Sequence, residues 1–189
     1  MLDGHSAFQA EPAMKSKLRL ATAWLDGCSG CHMSLVDIDE RLLDIAPAIE
    51  LVYSPLVDTK EFPLSVDVTI VEGAVSSEED LHKALRIRER STTVIALGDC
   101  AVTGNVPTMR NGFATKALLE RAYLENCTAQ PQIPTEMVPP LLSKARPLHE
   151  VIQVDLHLPG CPPSNDAIFS ALAALLEGKQ PNLSGTRFG

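Results

Sequence analysis

Apolar and polar positions fall into short blocks along this chain, and the period of the pattern changes from block to block. Residues 18–25 (LRLATAWL) form a brief apolar run closed by a glycine-containing turn, the signature of a buried strand. Residues 33–46 place Leu35, Ile38, Leu42 and Ile45 at helical spacing. Asp37, Asp39 and Glu40 lie early in that stretch, where the helix dipole favours carboxylates, and Pro47 follows its end. Residues 50–53 and 66–71 read as a second and a third strand. Ser76 and Ser77 precede Glu79 and Asp80, which predicts a capped helix over 78–90. Residues 92–97 predict a fourth strand, 114–126 a helix and 151–156 a fifth strand. The last helix is expected over 164–176, with Ser164 as its cap and Gly178 near its end.

Strands alternating with helices of these lengths imply an α/β fold, a parallel sheet covered by helices on both faces. Five strands suggest a flavodoxin-like doubly wound sheet of order 2-1-3-4-5, a single domain over 18–189. Residues 1–17 read as a flexible N-terminal tail. Residues 127–148 contain Pro131, Pro134, Pro139, Pro140 and Pro147, which break helices and central strands. That stretch is expected to be a long surface excursion, covering a site or contacting another subunit. Trp24, the sole tryptophan, is expected to pack in the core.

Composition narrows the function classes. With 189 residues the chain can bury most of its apolar surface without a covalent staple. Its net charge of -8 argues against a nucleic-acid partner, because phosphate binding needs a basic face. No stretch approaches the roughly 20 apolar residues that span a bilayer. Residues 1–17 show neither an apolar signal core nor a twin-arginine pair, so a cytoplasmic location is expected. Thiols stay reduced there, and five cysteines then point to metal or catalysis rather than cross-links.

Four of the cysteines fall at equivalent places. Cys28 and Cys31 follow the first strand in DGCSGC, Cys100 follows the fourth in GDC, and Cys161 follows the fifth in PGCPP. All lie just past carboxyl ends of strands, the edge where open α/β sheets bind ligands. Cys127 follows a helix and is set aside. A cubane cluster needs four cysteinyl sulfurs, one per iron, and Cys28-Ser29-Gly30-Cys31 can reach two irons from one turn. Gly27, Gly30, Gly98 and Gly160 allow close backbone approach. A structural zinc site uses the same donors, although its ligands usually come as two close pairs, whereas Cys100 and Cys161 stand alone. An FMN module on this edge is the third reading, against which the first loop offers thiols where a phosphate cradle would be expected.

The stretches WLDGCSGCHMSLVDIDERL (24–42), VEGAV (71–75), GDCAVTGNVP (98–107) and PGCPP (159–163), taken in this order, resemble the small subunit of nickel–iron hydrogenases. The resemblance covers roughly residues 19–178 and is greatest to the short small subunit of the cytoplasmic NAD-reducing, bidirectional type. It implies a flavodoxin-like fold and one [4Fe–4S] cluster on Cys28, Cys31, Cys100 and Cys161, proximal to a nickel–iron centre in a separate large subunit. It also implies further iron–sulfur clusters, FMN and NAD on diaphorase subunits, an obligate hetero-oligomer, and no bond chemistry on this chain itself. Periplasmic and membrane-bound relatives have a second, C-terminal cluster domain and a glutamate directly before the first cysteine. Here the chain ends at Gly189, and Gly27 takes the glutamate's place, which puts a proton-relay role there in doubt. The homologous subunit of complex I, a quinone reductase, has adjacent cysteines in its first motif; here Ser29 and Gly30 separate them.

Several further residues are candidates. Glu72, in VEG, is a candidate for a proton path or a hydrogen bond near the cluster, against an acidic strand end bonded to loop amides; His32, next to Cys31, is a candidate for covering the cluster or contacting a partner, against a satisfied or solvated histidine. Asp26 and Asp99 flank ligands, and Gly104-Asn105 reads as a turn returning the Cys100 loop over the site. An apolar interface is expected around 26–34, 98–113 and 159–165.

Overall fold

The computed structural model describes residues 17–183 and 186–188; the proposed tail, apart from Lys17, lies outside the described residues. The elements in chain order are β1 (Leu18–Trp24), α1 (Gly30–Val36), α2 (Leu42–Ile45), β2 (Ile49–Tyr53), β3 (Val66–Glu72), β4 (Val75–Ser77), α3 (Glu78–Arg90), β5 (Ser91–Leu97), α4 (Gly98–Thr103), α5 (Asn105–Thr108), α6 (Thr115–Glu120), β6 (Leu141–Arg146), β7 (Leu156–Leu158) and α7 (Asn165–Leu176). Five strands pair in parallel in the order β2-β1-β3-β5-β7. Counting only these five, the order is the expected 2-1-3-4-5 of a doubly wound sheet.

The centre of the sheet follows from its composition. In β3 every residue but Asp67 is buried, as expected for a parallel strand covered on both faces. Ala21, Val71, Val94 and Ala96 pack on one face with Ala84 and Ile87 of α3. Leu20, Val68, Ile70 and Ile95 pack on the other with Ile38, Ile168 and Leu172. Helix α3 opens as predicted, on a capping box in which Ser77 Oγ accepts from the Asp80 amide and the Asp80 carboxylate accepts from the Ser77 amide. Helix α7 opens on Ser164, whose Oγ accepts from the Ala167 amide. Among the described residues, no helix is long and apolar enough to cross a membrane.

Four local expectations change. The helix expected over 33–46 starts earlier, at Gly30, and breaks after Val36; Asp39, at φ 59°, occupies the left-handed region, and a 3-10 turn leads into α2. The fifth parallel strand starts at Leu156 rather than 151, because Val151, Ile152 and Val154 pack onto the core beneath β5 instead of joining its ladder. Within 127–148, residues 141–146 form β6, antiparallel to β4; Pro140 and Pro147 bound this strand rather than interrupt it. Trp24 is 44% exposed, with its indole N–H donating to the Gly27 carbonyl at 3.1 Å.

The β4–β6 ribbon also fixes the segment that follows Cys100. Arg110 donates to the carbonyls of Ser76 and Leu142 at 3.0 Å each. Asn111 pairs with Ala145 as a strand would, donating to its carbonyl and accepting from its amide at 2.8 Å each.

Candidate metal centre

Four segments meet at the carboxyl edge of the sheet. The turn after β1 carries Cys28 and Cys31, and α4 carries Cys100 on its first turn, directly after β5. The loop between β7 and α7 carries Cys161, and β3 ends there on Glu72. Residue Trp24 pairs with Glu72, and Glu72 with Leu97, so the three central strands deliver these segments at one level.

The packing between segments is tight. Gly98 has φ +80°, and a Cβ there would overlap Cys31 Sγ, so the space a side chain would take is filled by the thiol. Gly160 has φ +138°, and a Cβ would lie 2.6 Å from Pro163 Cα. The Asp99 amide donates to the Gly160 carbonyl at 2.9 Å, and the Gly160 amide donates to Asp99 Oδ1 at 2.7 Å. This reciprocal pair fastens the Cys161 loop to α4. Ser34 Oγ donates to the Pro163 carbonyl at 2.6 Å, fastening α1 to the same loop. Ser29 takes the left-handed conformation at φ 61° between the two cysteines of the first loop.

The thiols sense one another. Cys31 is buried, and its thiol pKa is pushed far above the usual range, first by loss of hydration, then by Glu72 and by Cys100, Cys28 and Cys161. Cys100 is pushed up to about 11, first by burial, then by Cys161, Cys28, Glu72 and Asp26. Cys28 and Cys161 are exposed, and Asn105 Nδ2 lies 3.6 Å from Cys161 Sγ. The structure thus brings together the four cysteines singled out from the sequence. Among the described residues, no three His, Cys, Asp or Glu side chains are spaced to hold a single ion. A cubane places each thiolate on its own iron, so its donors stand farther apart than those around one zinc. The four-thiol donor set and the glycine-made clearance around Cys31 fit such a cluster.

Cys127 lies elsewhere, its Sγ donating to the Ala129 carbonyl at 2.7 Å. His32 and Glu72 are both buried and bonded to each other: Glu72 Oε2 accepts from the His32 amide at 2.9 Å and lies 2.5 Å from Nδ1. Behind them, His32 Nε2 lies 3.1 Å from Thr22 Oγ1, which donates to Ser54 Oγ at 2.9 Å. Thr22 and Ser54 carry no sequence signal, since their partners are 10 and 32 residues away.

The family described as NADH ubiquinone oxidoreductase, 20 Kd subunit, matches residues 28–175, a span that takes in all four cysteines of this edge. The chain belongs to that family. Proteins similar to it include a subunit of the F420-non-reducing hydrogenase vhu of Methanocaldococcus jannaschii, 43% identical over 84% of this chain and 56% of that protein. The NAD-reducing hydrogenase HoxS subunit delta of Cupriavidus necator is 41% identical over 87% of this chain and 81% of that protein. Among solved structures, a chain from the crystal structure of NAD+-reducing [NiFe]-hydrogenase in the H2-reduced state superposes with a TM-score of 0.88 at 36% identity. That match covers 92% of this chain and 100% of the other. The chain spans 56% to 60% of the length of the F420-non-reducing hydrogenase relatives from Methanocaldococcus, Methanococcus and Methanothermobacter.

Proposed function

We propose that this chain is the electron-transferring small subunit of an NAD-reducing nickel–iron hydrogenase, holding one [4Fe–4S] cluster on Cys28, Cys31, Cys100 and Cys161. The observation that carries the reading is the meeting of these four thiols at one sheet edge, close enough for Cys28, Cys100 and Cys161 all to act on Cys31. The similarity to the NAD-reducing hydrogenase subunit and to the solved NAD+-reducing hydrogenase supports the acceptor.

When bound, such a cluster accepts and gives up one electron at a time. The chain's own residues position and shield it. Cys31, seated in the space left by Gly98, would be the buried ligand, Asp99 and Ser34 hold the Cys161 loop, and Arg110 and Asn111 tie the segment after Cys100 to the β4–β6 ribbon. The reaction as a whole is H2 + NAD+ → NADH + H+; both electrons and both protons originate on a partner large subunit, and NADH forms on a diaphorase partner. This chain makes and breaks no bonds in it.

On the segments that flank Cys28, Cys31 and Cys100 in the chain, Trp24, Met33, Val106, Met109 and Phe113 are all more than two-fifths exposed. These apolar side chains rim the edge where a large-subunit partner would cover the cluster and keep water from it. The assembly is placed in the cytoplasm, where the thiols stay reduced.

The test is purification of the tagged chain under anaerobic conditions with its partners. Nickel in the complex and H2-dependent NAD+ reduction are expected. A complex without nickel that reduces a quinone with NADH would replace this reading with that of a complex I-like subunit.

A further inference from the structure

Glu72 is a carboxylate in an unusual position. It is 2% exposed, and among the described residues its ion-pair partner is His32, with no Lys or Arg bonded to it. It ends β3 beneath the 27–32 turn: a Cβ on Gly27 would lie 3.6 Å from its Oε1, and Oε2 is held by the His32 amide and Nδ1. The carboxylate therefore faces the thiol loop, while the imidazole extends away from it toward Thr22 and Ser54. His32, Thr22 and Ser54 are each 2–4% exposed, so the whole line is fixed by burial as well as by hydrogen bonds.

The pair is directional. His32 Nε2 lies against Thr22 Oγ1, which donates onward to Ser54, while Glu72 Oε2 is bound at the other end by the His32 amide and Nδ1. A unit arranged this way presents its carboxylate end to the site and its imidazole end to the interior. Consistent with that, Glu72 is among the charges acting on both Cys31 and Cys100. In a dry environment a fixed negative end opposes the arrival of an electron more strongly than it would in water.

We propose that Glu72 is the positioning residue that sets the reduction potential of the cluster: clasped by His32 and Thr22, its carboxylate fixes a negative field beside Cys31 and keeps the potential low. The inference rests on the reading that the four thiols hold a [4Fe–4S] cluster. It assigns to Glu72 an electrostatic role, distinct from ligation and from simple anchoring of the turn.

The experiment is an EPR-monitored redox titration of the anaerobically purified complex carrying Glu72→Gln, Glu72→Asp or Thr22→Val, with iron and sulfide measured on each. Variant-minus-wild-type spectra separate this cluster from those on other chains. Glu72→Gln keeps the shape and an acceptor for the His32 amide but removes the carboxylate. Its cluster is expected to be at least tenfold easier to reduce, a positive shift of about 59 mV for a one-electron couple. Glu72→Asp keeps the charge and is expected to stay nearer the wild type; Thr22→Val loosens the clasp and is expected to shift the same way by less. A merely structural Glu72 would reverse this order, because Asp is the shorter side chain and Gln the isosteric one. Full iron and sulfide with an unmoved potential in Glu72→Gln overturns the proposal while leaving the cluster reading intact. If Glu72→Gln fails to load iron, Thr22→Val decides, and an unmoved potential there overturns it. Absence of iron and sulfide from the wild type overturns both.

Discussion

The two edges of the sheet differ in what sits opposite their carboxylates. At the amino edge three arginines donate to backbone carbonyls: Arg19 to Leu64 and Ser65, Arg90 to Phe62, and Arg88 to Gln153, Ser91 and Thr92 as well as to Asp155. Arg88 and Arg90 lie in the last turn of α3, where the helix dipole favours cations. At the carboxyl edge Glu72 accepts from the His32 amide and Asp99 from the Gly160 amide, as Asp67 and Asp155 accept from the Arg19 and Val94 amides at the amino edge, but the ion-pair partner of Glu72 is a histidine rather than an arginine. The first arrangement neutralises carbonyls that would otherwise be left without donors, and it serves stability. The second sets Glu72 near the thiols; the pKa of Cys100 is pushed up first by burial, then by Cys161 and Cys28, and after them by Glu72 and Asp26. A fold tolerates such an edge where a bound group gains from it. The difference separates what holds this chain together from what it is for.

The sharpest way to break that division is at the thiols. Cys100→Ala is expected to abolish or degrade the cluster, with loss of most of the roughly four iron and four sulfide per chain. Cys127→Ala, away from the edge, is expected to leave both at wild-type levels by the same measurement. Equal loss in the two variants would erase the distinction between edge and periphery.

Gly98→Ala tests the packing of the same edge. Its Cβ meets Cys31 Sγ at a left-handed φ, which costs about 1–3 kcal/mol in backbone strain alone and displaces the Cys31 thiol. Reduced iron content with a lowered thermal midpoint is expected, whereas normal loading would mean that Cys31 does not occupy that space.

The division between edges was only partly legible in the sequence. The sheet order and the placing of Cys28, Cys31, Cys100 and Cys161 on one edge follow from local signals, apolar runs closed by glycine-flanked cysteines. The clasp around Glu72 does not, because it joins residues up to 40 positions apart through side-chain geometry that no periodicity encodes. The β4–β6 ribbon was hidden for a similar reason: LLSKAR is short, half exposed and set among prolines, and its partner is a three-residue strand far upstream. Trp24 looked like core because it closes an apolar strand, yet it sits at the mouth of the site, where the apolar rim begins.

At the amino edge the expected effects fall on stability. Arg88→Met removes hydrogen bonds to three carbonyls and an ion pair, and is expected to destabilise the chain by about 2–3 kcal/mol in urea titration, with iron content unchanged. Loss of iron in a folded Arg88→Met protein would show that the two edges are not separable.

The smallest effect concerns Asp155. Burial pulls its pKa upward, but the hydrogen bond from Arg88, the Val94 amide and the Arg88 charge outweigh burial and hold the pKa below the usual carboxylate range. A folded-state pKa below the unfolded value of about 3.9 gives stability that is present above that value and is lost as pH falls through the folded one. Asp155→Asn is expected to remove this contribution, no more than about 1 kcal/mol for a partly exposed pair, and to flatten the acid limb of the stability curve below about pH 4. An unchanged acid limb would assign the pH dependence to other carboxylates.

The central claim, that the carboxyl edge is built to hold an iron–sulfur cluster, is tested most directly by metal and sulfide determination on the wild-type chain purified anaerobically with its partners. The expected result is about four iron and four acid-labile sulfide on this chain, after clusters on other subunits are subtracted, and no stoichiometric zinc. Zinc in place of iron would reduce the four thiols to a structural site and contradict the electron-transfer role.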